Sequence, residues 1–229
     1  MKKHSLLLDI AIFLLLFSCF IIPPFFAEIV SDSRPLFVSW DFPWYKIFIT
    51  AVAGLLFYFY KNTEAADDQN TVSVWQKLNV FPVLFTFGML FAISLLSRFL
   101  SEIAGSDSVF SDHATSEYIV KPQGFIEWLF CLIYFLCGAF NEEVIYRFYF
   151  IDELFVLVTR KKVWRFSKLL CEFLGLFCFA FAHRYMGWIP VWNAALAHIV
   201  LRLCYKKSGR LWPCVTSHFI YNVISLILL

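Results

Sequence analysis

The sequence predicts an all-α membrane protein, a polytopic bundle of about seven transmembrane helices, or eight. Hydrophobic residues make up 61% of the 229 residues, and the mean hydropathy is +0.72. A soluble domain of this size contains roughly half apolar residues, so this composition favours the membrane. The apolar residues also form continuous runs of the length that a helix needs to cross a bilayer, without the alternation that is typical of a membrane β-barrel.

Seven apolar segments are predicted to form the helices of this bundle. Polar loops at 61–78 and 101–123 separate the second, third and fourth segments, and shorter connections separate the last four. The fourth segment is longer than one simple crossing requires, and it carries charged residues. The seven segments are Leu6–Phe26, Tyr45–Tyr60, Val80–Leu100, Phe125–Val158, Leu169–His183, Ile189–Tyr205 and Leu211–Leu229.

The first segment has a basic start followed by an apolar run, which is also the pattern of a secretory signal peptide. A lipoprotein cleavage site would end at Cys19, but the apolar run continues well beyond that residue. We therefore expect the first segment to be an uncleaved transmembrane helix.

Basic residues indicate the orientation, because they are in excess in cytoplasmic loops. In an alternating seven-span arrangement, the basic residues at 2–3, 61–77, 160–168 and 206–210 all fall on one side, opposite the 101–123 loop. This predicts an integral protein of the inner or plasma membrane with a cytoplasmic amino terminus, surrounded by the lipid bilayer. The net charge of +2 and the absence of a basic tail give no indication of a nucleic-acid partner. Seven cysteines, mostly in apolar runs, favour neither a disulfide scaffold nor a zinc module.

The stretch "FNEEVIYRFY", residues 140–149, places charges within the fourth apolar segment. Glu143 and Arg147 are four residues apart, so they share a helix face and are expected to pair. Glu142 lies about 100° around the helix and is left for another partner. A structural ion pair with a spare carboxylate would explain this cluster as well as a functional site would.

A continuous fourth helix would also submerge Asp152 and Glu153, which are costly to place in the bilayer. A helix break after Arg147, or an amphipathic turn in the membrane interface, would relieve that cost. The sequence leaves both alternatives open.

Two further apolar segments carry polar side chains one turn apart. Phe179 and His183 occur in "FCFAFAHRY", and His218 and Asn222 occur in "VTSHFIYNVIS". Polar groups on separate helices can converge in one internal cavity, which is how helix bundles build polar sites. We therefore expect a polar cavity among the carboxy-terminal spans.

His198 and Arg202 are also one turn apart in an apolar run, but we interpret them as structural. Arg202 can extend its side chain toward the basic end of its helix at Lys206. Neither residue belongs to the candidate site.

The ordered motifs E-E-x-x-x-R, F-x-x-x-H and H-x-x-x-N resemble those of the CAAX-protease and bacteriocin-processing (CPBP) intramembrane endopeptidases, the type II CAAX prenyl endopeptidase-like proteins. The segment "KKSGRLWPCVTSHFIYN", 206–222, also resembles that family's approach to its last motif. The resemblance covers about 125–229, which implies a CPBP-type catalytic core after the amino-terminal helices and loops of 1–124, within one membrane domain. Phe148 stands where the family often has glycine, which concerns local packing.

The resemblance implies a glutamate protease that cleaves a membrane-associated peptide or protein without a cofactor or metal. Glu142 would be the general base, and His183 would help to position and polarise the attacking water. His218 and Asn222 would donate hydrogen bonds to the oxyanion. The supporting residues would be Glu143, Arg147 and Phe179.

Three other functions are compatible with the same residues. A zinc protease could use His183, His218 and Glu142 as a His₂Glu set, although the sequence has no H-E-x-x-H motif. A proton-coupled transporter could use intramembrane carboxylates and histidines as an ion path. A non-catalytic immunity or scaffolding protein could retain the same motifs.

Overall fold

The computed structural model describes residues 6–26, 42–64, 80–104, 121–160 and 164–228, and within these ranges the regular secondary structure is entirely helical. This confirms the predicted all-α helical membrane bundle. The α-helices are α1 (Leu6–Leu16), α2 (Trp44–Glu64), α3 (Phe81–Ala104), α4 (Phe125–Glu143), α5 (Phe150–Thr159), α6 (Ser167–Phe181), α7 (Trp188–Ser208) and α8 (Trp212–Leu228).

Three of the described helical stretches are long and apolar enough to cross a membrane. They are Leu6–Phe26, Phe81–Leu100 and Phe125–Thr159, and two shorter apolar helices span Trp44–Phe59 and Trp212–Leu228. Many large hydrophobic side chains on these helices are exposed, for example Phe125 at 84% and Phe81 at 69%. An apolar surface of this extent is expected for helices that face lipid.

The first predicted segment continues past α1 as irregular helix. A π-helical turn, Phe17–Ile21, follows α1, and a short 3₁₀ turn spans Pro23–Phe26. The two adjacent prolines that open the 3₁₀ turn explain why the preceding helix does not continue through it, because proline lacks the amide donor that a continuing helix needs.

The fourth predicted segment forms one continuous helix. Its middle is a π-helical segment, Val144–Tyr149, which joins α4 to α5. The amide of Phe150 donates to the carbonyl of Ile145, as the wider turn requires. The helix therefore does not break after Arg147, and all six residues of the π-helical segment are buried.

The helices pack so that the π-helical segment lies inside the bundle. Helix α3 contacts α7 and α8, α4 contacts α2 and α8, and α6 packs between α5 and α7. At one end of the bundle, Arg160 Nη1 lies 2.7 Å from Asp9 Oδ2, which ties the end of α5 to the start of α1. At the other end, Lys121 donates a 3.0 Å hydrogen bond to the Ile227 carbonyl near the end of α8.

This packing agrees with the alternating arrangement of helices on which the orientation was predicted. The cytoplasmic position of the amino terminus stays a prediction. Lys2, Lys3 and Lys77, which support it, lie outside the described residues.

Two glycines have conformational or packing roles that are visible in the structure. Gly209 ends α7 in the left-handed conformation (φ 63°), and its amide donates a 2.8 Å bond to the Tyr205 carbonyl, as a helix C-cap does. Gly175 in α6 lies directly beneath Ile151 of α5: an added Cβ would be 2.5 Å from the Ile151 Cδ1 and Cγ1 atoms. The close approach of α5 and α6 therefore requires a residue without a side chain at position 175.

We predict that Gly175→Ala lowers the free energy of unfolding by about 1–3 kcal/mol, because the new methyl group overpacks the α5–α6 contact. Thermal unfolding in detergent, followed by circular dichroism, measures the effect. Gly88→Ala is the control, because no heavy atom lies within 4 Å of a Cβ at Gly88. An unchanged stability of Gly175→Ala, or no recovery when Ile151→Ala is added, would contradict this account.

Candidate active site

A cavity of about 330 Å³ brings together residues from the predicted site. The end of the first helical stretch, the start of α2, the end of α4, the π-helical segment and the end of α6 form its walls. Glu142, Phe179 and His183 line this cavity together. The first and second motifs, which are 41 residues apart from Glu142 to His183, therefore meet in space.

Glu142 is the last residue but one of α4, and its side chain is 35% exposed. Its Oε2 atom is buried and has no hydrogen-bond partner among the described residues. The Nε2 atom of His218 lies 3.9 Å from the Glu142 Oε2 atom. Glu142 therefore offers the cavity a carboxylate oxygen that is not committed to an ion pair with lysine or arginine in the described part of the chain.

Glu143, one residue further, has the opposite environment. Its side chain is fully buried, and its Oε2 lies 3.3 Å from Arg147 Nε, as the four-residue spacing predicted. Its Oε1 accepts a 2.9 Å hydrogen bond from His218 Nδ1. The predicted ion pair is confirmed, and through His218 it also connects α4 to α8.

Arg147 is fully buried in the π-helical segment and contacts α6 and α7. Its Nη1 lies 3.1 Å from His198 Nδ1. The guanidinium also lies 4.1 Å from the centre of the Phe179 ring, which places a cation over an aromatic face. Phe179 thus contacts Arg147 on one side and lines the cavity on the other, which fits a supporting role.

His198 and Arg202 make buried contacts, and Arg202 shares the carboxylate of Glu172 with Lys206 at the basic end of α7. Arg202 is 5% exposed, and it donates to the Arg147 carbonyl. Its guanidinium also pairs with Asp152 Oδ1 at 2.5 Å and Glu172 Oε1 at 3.1 Å. This pairing supplies the cation that makes Asp152 tolerable in a continuous fourth helix.

His183 follows α6 and is held by the backbone one turn before it. Its Nδ1 lies 2.8 Å from the Phe179 carbonyl oxygen. A carbonyl oxygen can only accept a hydrogen bond, so the hydrogen lies on Nδ1 and the neutral ring carries its lone pair on Nε2. This tautomer makes Nε2 an acceptor for a water hydrogen.

His218 and Asn222 occupy a different position from the other predicted catalytic residues. His218 is 8% exposed and lies between the two carboxylates, but it is not among the described residues that line the cavity. Asn222 lies one turn further along α8, and no hydrogen bond within the described residues joins it to the other predicted site residues. Their role as oxyanion donors stays a prediction.

Several residues that line the cavity were not predicted as part of the site, and three of them carry polar groups that bear on its chemistry. They are Lys46 in the first turn of α2, Asn141 in α4 and Tyr146 in the π-helical segment. Tyr146 lies four residues after Glu142, so helical spacing around the first motif would have identified it. Lys46 and Asn141 could not be identified that way, because their positions depend on how α2 packs against α4: Asn141 Nδ2 donates a 3.2 Å bond to Thr50 Oγ1.

Within the described residues, no group of three or more His, Cys, Asp or Glu side chains is arranged to hold a metal ion.

A second cavity of about 600 Å³ lies between α2, the π-helical segment, α7 and α8. Phe148 borders it and packs against Phe57, with ring centres 4.8 Å apart. Phe148, which directly follows Arg147, thus has an aromatic partner on α2.

In a comparison with known families, residues 124–224 match the family model described as Type II CAAX prenyl endopeptidase Rce1-like. The match contains all three motifs, from Glu142 to Asn222. No curated protein and no solved structure matched the chain.

We predict that Arg147→Met destabilises the protein by about 3–5 kcal/mol, because Glu143 would keep a buried charge without its cation. Adding Glu143→Gln to Arg147→Met should recover part of the loss. Thermal unfolding in detergent is the measurement, with Lys207→Met as the control because Lys207 is exposed. The prediction fails if Arg147→Met is as stable as Lys207→Met.

Proposed function

We propose that this chain, whose residues 124–224 match the Rce1-like family model of type II CAAX prenyl endopeptidases, hydrolyses a peptide bond of a membrane-associated peptide or protein in the cavity lined by Glu142 and His183. The observation that carries this proposal is the shared cavity. A carboxylate without a lysine or arginine partner and an imidazole with a free acceptor nitrogen face one space inside a helical membrane bundle.

In the proposed reaction, Glu142 is the general base. It takes a proton from a water molecule while the water oxygen attacks the carbonyl carbon of the scissile peptide, and the proton then passes to the departing amine. His183 accepts the second hydrogen of that water at Nε2 and so fixes the direction of attack. General base catalysis of this kind contributes about 10²–10⁴ to the rate.

Glu143 and Arg147 are positioning residues in this proposal. Because Arg147 pairs with Glu143, one carboxylate of the motif is committed to structure, and the other is left for chemistry. Glu143 also orients the His218 ring by accepting from Nδ1. Arg147 in turn packs on Phe179, whose carbonyl sets the tautomer of His183.

His218 and Asn222 complete the proposed reaction as oxyanion donors. Because Nδ1 donates to Glu143, His218 can donate from Nε2 only as an imidazolium, with a hydrogen on each ring nitrogen. Nε2 is the nitrogen that faces Glu142, and we propose that His218 acts in this protonated form. Asn222 follows one turn later on α8, on the same helix face as His218. A side-chain amide can donate to the oxyanion without changing its own charge.

We predict that Glu142→Gln and His183→Ala each reduce hydrolysis at least about 100-fold. The first removes the base that takes the water proton, and the second removes the nitrogen that accepts the water's other hydrogen. Purified protein in liposomes is assayed with a pooled library of internally quenched peptides. Glu127→Gln is the matched control: Glu127 lies on the same helix, but it only caps the start of α4 by accepting from the Gln123 amide.

The same assay separates the proposal from its alternatives. Unchanged hydrolysis in the presence of a chelator supports the glutamate mechanism, and loss of hydrolysis with chelator would favour a zinc protease. Proton-coupled flux without hydrolysis would favour a transporter.

We predict that Asn222→Ala lowers kcat about 10²–10³-fold with little change in KM, because an oxyanion donor acts in the transition state rather than in substrate binding. Initial rates across a range of library concentrations give both constants. Ser225→Ala, one turn away on the same helix, is the control. Equal kcat values for the two variants would remove Asn222 from the mechanism.

A further inference from the structure

Tyr146 is a buried residue with a polar atom that no described residue satisfies. It is 5% exposed, and its hydroxyl makes no hydrogen bond within the described part of the chain. It lines the same cavity as Glu142 and His183. Leaving a buried hydroxyl without a partner costs about 1–3 kcal/mol, so a group placed at such a cost in a candidate active site points to a role there.

The Tyr146 ring is held rigidly in this position. It packs edge-on against Phe179, with ring centres 5.1 Å apart and an angle of 77° between the rings. Phe179 is itself fixed by the Arg147 guanidinium over its face. A phenol has one rotatable hydrogen and no other freedom once its ring is packed, so the position of the hydroxyl beside the cavity is fixed.

The two candidate reacting groups of the cavity are acceptors, so a donor must come from another lining residue. The Asn141 amide already donates to Thr50, and the Lys46 ammonium lies 4.7 Å from the centre of the Tyr134 ring. An ionised Glu142 has no hydrogen to donate, and the neutral His183 presents the lone pair of Nε2. Attack on a peptide carbonyl develops negative charge on the carbonyl oxygen, which requires hydrogen-bond donors. His218 and Asn222 are not among the described lining residues, whereas the Tyr146 side chain is.

We propose that Tyr146 is a further catalytic residue, whose hydroxyl donates a hydrogen bond to the scissile carbonyl oxygen as that oxygen becomes an oxyanion. This proposal rests on the proposed peptide hydrolysis and adds a donor to it. The hydroxyl donates without losing its proton, so no additional proton transfer enters the reaction. The donor acts on the opposite end of the reacting carbonyl from Glu142, which serves the attacking water.

The test compares Tyr146→Phe with Tyr149→Phe. Both remove one buried phenolic hydroxyl from the π-helical segment, but Tyr149 packs near Phe13 of α1 and is not among the described lining residues. The assay uses the wild-type protein and both variants in liposomes with the pooled internally quenched peptides. We expect Tyr146→Phe to lower kcat about 100-fold with KM within about threefold of wild type, and Tyr149→Phe to leave kcat within about threefold.

The melting temperature distinguishes catalysis from folding. Removing an unsatisfied hydroxyl should leave the melting temperature of Tyr146→Phe equal to or above that of wild type. Wild-type hydrolysis that depends on Glu142, combined with an unchanged kcat for Tyr146→Phe, overturns the role of Tyr146 and leaves the proposed function intact. A loss of kcat accompanied by a lower melting temperature also overturns it, since the defect would then be structural. No hydrolysis by the wild type removes both proposals.

Discussion

The ion pair between Glu143 and Arg147 is the constraint on which the carboxy-terminal half of the molecule depends. Both side chains have no exposed surface, so each charge must be neutralised by groups that the fold brings to it. Glu143 draws His218 of α8 toward α4, and Arg147 draws His198 of α7 and Phe179 of α6 toward the π-helical segment. Three helices are thereby fixed around one buried pair, and Glu142 is left at the edge of the arrangement.

The π-helical segment explains how so many bulky residues pass through the bundle interior together. A regular α-helix repeats its faces every 3.6 residues, so a six-residue stretch normally turns part of its surface outward. The wider turn at Val144–Tyr149 changes that register, and all six side chains are buried. Such turns are often found at functional sites, and here the turn holds both Arg147 and Tyr146.

Sequence reasoning predicted the helices well because crossing a bilayer imposes a length and a composition that an isolated segment must satisfy by itself. The pairing of Glu143 with Arg147 was predictable for a similar reason: it depends only on the spacing along one helix. The partners of Arg202 and His198 were not predictable, because they depend on how α5, α6 and α7 pack. The π-helical segment was also missed, since no residue within it has a strong preference for that turn.

The position of the cavity would limit the membrane leaflet from which an anchored substrate chain could reach Glu142. Its walls include the end of the first helical stretch, the first turn of α2 and the end of α6, all far from the end of the bundle where Asp9 meets Arg160. A chain anchored in the leaflet around Asp9 and Arg160 would have to extend across much of the bilayer before a peptide bond reached Glu142. A chain anchored in the other leaflet would need only a short extended stretch, so the proposed hydrolysis would select its substrates by the side of the membrane from which they enter.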